Sequence, residues 1–365
     1  MTIDADAFNI DEAIIAKLLL RTQERRLRGE RPNLVTLPRA KGAFPKLLCL
    51  DLNKWVDLAR AHYGKPGAHV FRPALEAIRA AVSRGRLVVP IAAANAREAM
   101  VPMNVERRRR LVEFMVELSG NHCLANDVDV IVREMDEAIW NLWLRPPLTP
   151  LVRERLVQRG VTAAIKGGLP VITGVDPETS TFLVDTLDEP EITILMLMNL
   201  LTPEEAKNKR QRANETASIS MQIRQHTPNR SMEEQRRAAS VSLFQGGLAR
   251  EQLRELFTDQ YATRDRFLSW LADDDNAVRF AAAVPGIDVM MTLILVRNRN
   301  PNHKTHSNDG EDFAFLRTAL PYANIVVTEN SWGHFARSSG LADRYGTVVI
   351  SDLIDLPDTL TGATQ

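Results

Sequence analysis

Ser307-Asn308-Asp309-Gly310-Glu311-Asp312 runs on through residues 313–322 into Asn324-Ile325-Val326-Val327-Thr328-Glu329-Asn330. The first part reads as the acidic start of a helix, where the helix dipole favours carboxylates. Residues 313–322 continue that helix, Ile325 to Val327 form a short apolar strand, and Glu329 sits just past the strand's end. A carboxylate at a strand's C-terminal end and another at a helix N-terminus can converge above a parallel sheet, where open α/β folds bind their ligands.

The same pattern recurs near the beginning of the chain. Lys46-Leu47-Leu48-Cys49-Leu50-Asp51 is an apolar run ended by an acid, with Asn53 placed to cap a helix through residue 61. Residues 73–84 have helical periodicity, and Gly85-Arg86-Leu87-Val88-Val89-Pro90 gives a second buried strand. A helix over 91–100 then carries Glu98. Thr347-Val348-Val349-Ile350 supplies a last strand. Strands alternating with helices predict an α/β fold with a parallel, doubly wound sheet, whose right-handed crossovers bring the strand ends together.

From about residue 104 to 276 the pattern changes to helix and loop with little strand signal. This predicts a mostly α-helical insertion joined to an α/β unit at 46–103 and 277–357. An N-terminal helix and linker occupy 1–45, and a short tail occupies 358–365. Helices are expected at 11–30, 128–144, 192–201, 203–225 and 253–271. Another is expected over 277–296, with Pro285-Gly286 breaking or restarting it.

The chain has 365 residues, 45% of them hydrophobic, enough for a sizeable core. Lys+Arg and Asp+Glu both total 46, so bulk charge does not advertise a polyanion partner and any such site must come from local clustering. Cys49 and Cys123, without CxxC spacing, argue against a disulfide framework or zinc ribbon and fit a reducing cytoplasm. Neither a leader pattern nor a membrane-spanning apolar run is visible, so the expected compartment is cytoplasmic, without a membrane partner. Motifs for nucleotide-phosphate loops or serine hydrolases do not occur.

Acids therefore stand at comparable places: Asp51, Glu98, Asp309 with Asp312, and Glu329. Hard divalent cations take oxygen ligands, and clustered carboxylates supply both ligands and compensating charge. Each acid also has a plainer reading. Asp51 fits a helix cap, Glu98 an ion pair on a solvated face, and Asp309 and Asp312 a dipole-stabilised helix start. The polar loop after the 277–296 helix offers Arg297, Arg299 and Lys304 as possible nucleic-acid contacts.

In this order, Leu48-Cys49-Leu50-Asp51-Leu52-Asn53-Lys54-Trp55, Val88-Val89-Pro90 with Glu98 beyond it, Asn308-Asp309 with Asp312, and Pro321-Tyr322-Ala323-Asn324-Ile325-Val326-Val327-Thr328-Glu329 resemble the PIN domain superfamily of metal-dependent nucleases. The resemblance spans less than half the chain, about 46–103 and 280–357. It implies a three-layer α/β fold with a central parallel sheet, interrupted here by the helical insertion. It also implies an acidic pocket for Mg²⁺ or Mn²⁺ and hydrolysis of single-stranded RNA, with DNA as an alternative substrate. Metal ligation would fall on Asp51, Glu98 and Asp312, with Asp309 or Glu329 as the further acid and Asn53, Thr328 and Asn330 as accessory residues. Many PIN domains place an Asp two residues after the strand-ending Thr, where this chain has Asn330. A catalytically silent module is the competing expectation, with the insertion as a protein-interaction surface. Homo-oligomerisation is open.

Overall fold

The parallel sheet forms because short apolar runs are covered on both faces, closely at residues 47–50 and 325–327 and only in part at the edge run 348–350, where Val348 is exposed. The computed structural model describes residues 28, 45–99, 104–144, 156–160, 186, 189–199, 231–245, 261–299, 306 and 309–362. The helices and strands run in the order β1 (Lys46–Leu50), α1 (Leu52–His62), α2 (Arg72–Ser83), β2 (Leu87–Val88), α3 (Ala93–Ala99), α4 (Val105–Ser119), β3 (His122–Leu124), α5 (Asp127–Ile139), β4 (Val157–Arg159) and α6 (Pro190–Asn199). They continue with α7 (Met232–Gln245), α8 (Tyr261–Leu271), α9 (Asp274–Ala283), α10 (Pro285–Arg299), α11 (Asp309–Tyr322), β5 (Ile325–Val327), α12 (Asn330–Ser338), α13 (Leu341–Tyr345), β6 (Val348–Ile350) and α14 (Leu356–Gly362). The helices expected at 11–30 and 203–225, and the linker after residue 32, lie outside the described residues apart from Arg28.

The main sheet is four-stranded in the order β2-β1-β5-β6, and every pairing is parallel. Its register sets Cys49 opposite Val326 and Leu50 opposite Val327. Side chains alternate between faces with period two. Leu48, Leu50, Ile325 and Val327 enter one core with Trp55 and Phe114. Leu47, Cys49 and Val326 enter another with Phe315, Leu316 and Leu320 of α11. Continuing that alternation, Asp51 and Thr328 fall on the α11 side.

The helical segment after residue 104 is continuous with these cores. Leu111, Phe114 and Met115 of α4 pack beneath the sheet, whereas Met135, Phe244, Phe267, Phe280 and Met291 build a third core. The segment also holds a two-stranded antiparallel sheet, β3 with β4, in a region expected to carry little strand. Residues 122–124 and 157–159 are each too short and too mixed in polarity to show a period. Their pairing, through a parallel bridge from Cys123 to Ile91, ties them to the chain leaving β2. Helix α14 likewise runs into the expected tail and buries Leu360.

The break expected at Pro285-Gly286 is present: α9 and α10 meet at 105°. Among the described residues, no single helix is long and apolar enough to cross a membrane. Glu134 on α5 receives the Gly286 N–H at 2.7 Å and the Tyr322 hydroxyl at 2.6 Å, fixing the start of α10. A Cβ on Gly286 would come within 2.9 Å of Ile131 Cγ1 and 3.0 Å of Glu134 Oε2. Gly286→Ala is therefore expected to cost about 1–3 kcal/mol by overpacking, read as a lower urea midpoint at unchanged slope.

Candidate functional site

Four segments bring carboxylates near the C-terminal end of the parallel strands. Asp51 follows β1 directly in extended conformation (φ −64°, ψ 155°) and caps α1, accepting the Leu52 N–H at 2.6 Å. Its backbone N–H continues the sheet to Val327 O at 2.9 Å, and the Thr328 hydroxyl donates to its Oδ2 at 3.3 Å. The cap reading of Asp51 is thus correct, and the cap expected at Asn53 falls instead on Asp51, with Asn53 inside the helix. Burial, with the neighbouring Glu329 charge, pushes its carboxyl up to about 6.

Asp312 lies in the first turn of α11, and Trp332 donates its indole N–H to Oδ2 at 2.9 Å. Burial, followed by repulsion from Asp51 and Glu98 and then Glu329, pushes Asp312 up to about 8. The indole hydrogen bond works against that rise. The Trp332 ring meets Phe313 edge-on at 4.9 Å and is 1% exposed, so its orientation is fixed by packing.

Glu98 is half-buried on α3, a helix whose alanines allow close approach to the sheet. Asn95, 1% exposed, donates from Nδ2 to Leu50 O at 2.6 Å and pins α3 to the end of β1. Asn95 was missed in the sequence; a lone amide within Ala92-Ala93-Ala94-Asn95-Ala96 was the available signal. Lys54 was also missed. It reaches Ser351 O at 2.8 Å and lowers Asp51 electrostatically.

Glu329 is exposed and accepts a hydrogen bond from the Asn53 side-chain amide. It precedes α12 without a side-chain cap to it. The amide thereby turns this carboxylate toward the α1 start, and Asn330 is exposed beside it.

The structure does not draw every expected residue into this group. Asp309 is buried and ion-paired with Arg297 at 2.9 Å. Arg297, 3% exposed, lies 5.1 Å over the Phe313 ring, where it buttresses the α11 start and faces inward, away from solvent. Arg299 is exposed, whereas Lys304 and Asn308 lie outside the described residues. Cys49 and Cys123 are buried free thiols.

Asp51, Glu98, Asp312 and Glu329 thus share one electrostatic neighbourhood, with Asp309 set apart by its own cation. Among the described residues, no three His, Cys, Asp or Glu side chains are arranged to grip an ion as they stand. The donor chemistry nevertheless suits a hard cation: all four groups offer oxygen, and a divalent charge would oppose the rise that burial, and after it the neighbouring carboxylates, impose on Asp312. Comparison with protein-family models, curated proteins and solved structures finds no match to this chain.

Proposed function

We propose that the chain is a PIN-like, Mg²⁺- or Mn²⁺-dependent nuclease that hydrolyses single-stranded RNA, with a three-layer α/β core. The observation that carries this reading is the placement of Asp51, Asp312 and Glu329, with Glu98 as a charged neighbour, beside the C-terminal end of a parallel sheet, where burial and then the neighbouring charges raise Asp312. A divalent cation would offset repulsion among carboxylates gathered at one place.

Asp51, Glu98 and Asp312 would hold the ion, with Asp309 and Glu329 as the weaker candidates. When bound, the ion supplies a Lewis acid that lowers the pKa of water and neutralises charge on the phosphate. The Thr328 hydroxyl holds the Asp51 rotamer, and the Trp332 indole holds that of Asp312. Asn53 steers Glu329, which stands exposed where it can take a proton from an attacking water. In-line displacement with the 3′-oxygen leaving would give a 5′-phosphate product.

A second reading, a catalytically silent module, draws on the engagement of Glu329 by Asn53, which occupies the acid next to Thr328. Both readings meet one assay. Purified protein with Mn²⁺ is expected to cleave end-labelled single-stranded RNA, and EDTA to stop it. Cleavage confined to DNA would change the substrate, and absence of cleavage on any single strand would favour the silent module.

A further inference from the structure

Glu98 and Asp312 repel each other, yet their helices are held side by side. One residue before each acid stands a residue of an ion pair. Arg97 on α3 reaches Glu311 Oε2 on α11 from Nη2 at 3.1 Å and from Nε at 3.2 Å. The same Nη2 lies 3.3 Å from Oδ1 of Asp127, the first residue of α5. The other Asp127 oxygen accepts from Arg317, which returns the connection to α11 one and a half turns beyond Asp312. Asp127 is buried, and Arg97, Glu311 and Arg317 are each well under a third exposed.

Half-buried ion pairs of this kind add little net stability compared with apolar packing of the same volume, because desolvation offsets their attraction. What they add is geometry. Helix α3 has only seven residues, and four of its five buried side chains are alanines, so packing alone leaves its far end weakly located. Asn95 ties it to β1, and Arg97 ties it to α11 and α5.

We infer that Arg97, through Glu311 and through Asp127 with Arg317, is a positioning residue that sets the spacing of Glu98 and Asp312 for a divalent cation. This rests on the reading of those acids as metal ligands. Residues that orient metal ligands without touching the ion typically change affinity about 10- to 100-fold when removed. The sign of the effect is diagnostic. Deleting a nearby positive charge should tighten cation binding by simple electrostatics, whereas loss of positioning should weaken it.

The test is calorimetric titration of the full chain with MnCl₂ at fixed ionic strength, alongside thermal unfolding in EDTA. Wild type is expected to bind and Asp312→Asn to lose binding. Arg97→Gln is expected to bind about tenfold more weakly, with Arg97→Lys recovering part of the loss. Arg317→Gln, which removes the other guanidinium, reads the same device if Arg97→Gln fails to fold. Unchanged or tighter binding by the folded Arg97→Gln or Arg317→Gln protein, even with a lowered melting temperature, overturns the inference and leaves the metal site standing. Absence of Mn²⁺ binding by wild type overturns both.

Discussion

Asp51→Asn is expected to lower Mn²⁺-dependent cleavage of single-stranded RNA by about a thousandfold or more while leaving the fold intact. The substitution is nearly isosteric. Asn caps helices about as well as Asp, so the Leu52 N–H keeps its acceptor, while the amide nitrogen replaces Oδ2 and can donate to the Thr328 hydroxyl oxygen. What disappears is one anionic ligand. A Lewis acid at a phosphoryl centre supplies several kcal/mol of charge stabilisation, and a loss of ~4 kcal/mol is about three decades in rate. Initial rates at saturating Mn²⁺, with circular dichroism as the control for folding, check this. A folded variant cleaving within tenfold of wild type would remove Asp51 from the chemistry.

Asp312→Asn is expected to do two things at once: abolish Mn²⁺ binding and stabilise the metal-free protein at neutral pH. The Asp312 carboxyl is raised to about 8 by burial, then by Asp51 and Glu98. Below the ordinary aspartate value of 3.8, both folded and unfolded chains carry the proton. Between that value and about 8, the unfolded chain has released it and the folded chain has not, so stability falls as pH rises through this window. Asp51 contributes the same sign up to about 6, and buried Glu134 up to about 7. The interval from about 7 to 8 therefore belongs to Asp312 among these three. An amide at this position cannot ionise, and its oxygen can still accept from Trp332. In EDTA the variant should gain on the order of 2 kcal/mol at pH 8 and lose the decline above pH 7. Urea unfolding as a function of pH measures it. A variant less stable than wild type at pH 8, with the same pH slope, would show that Asp312 is not under repulsion.

The strands that carry the site were legible because each is an apolar run ended by an acid or Thr: Leu50 before Asp51, Val327 before Thr328. A buried parallel strand needs no partner-specific signal, only apolar side chains for both faces. β3 and β4 were illegible for the opposite reason. Their three-residue stretches owe their conformation to pairing across more than thirty residues of chain, which no local period records. The acids themselves were found by position, but their partners were not. That Asp309 belongs to Arg297 depends on how α10 returns toward α11, and that Asn95 reaches Leu50 O depends on how closely α3 approaches β1. Arg297, placed by sequence in a basic loop open to nucleic acid, ends α10 facing inward because Asp309 and Phe313 together offer it a charge and a ring face. The hydrogen bond from Trp332 to Asp312 required the fold.

The central claim is that Asp51, Glu98 and Asp312 share one divalent cation. Crystals of the full chain soaked in MnCl₂ test it most directly, by anomalous scattering near the manganese edge. A single strong peak among those three carboxylates is expected, with Asp309 still on Arg297. Manganese absent from that place, or bound instead at Asp309 with Arg297 displaced, would contradict it.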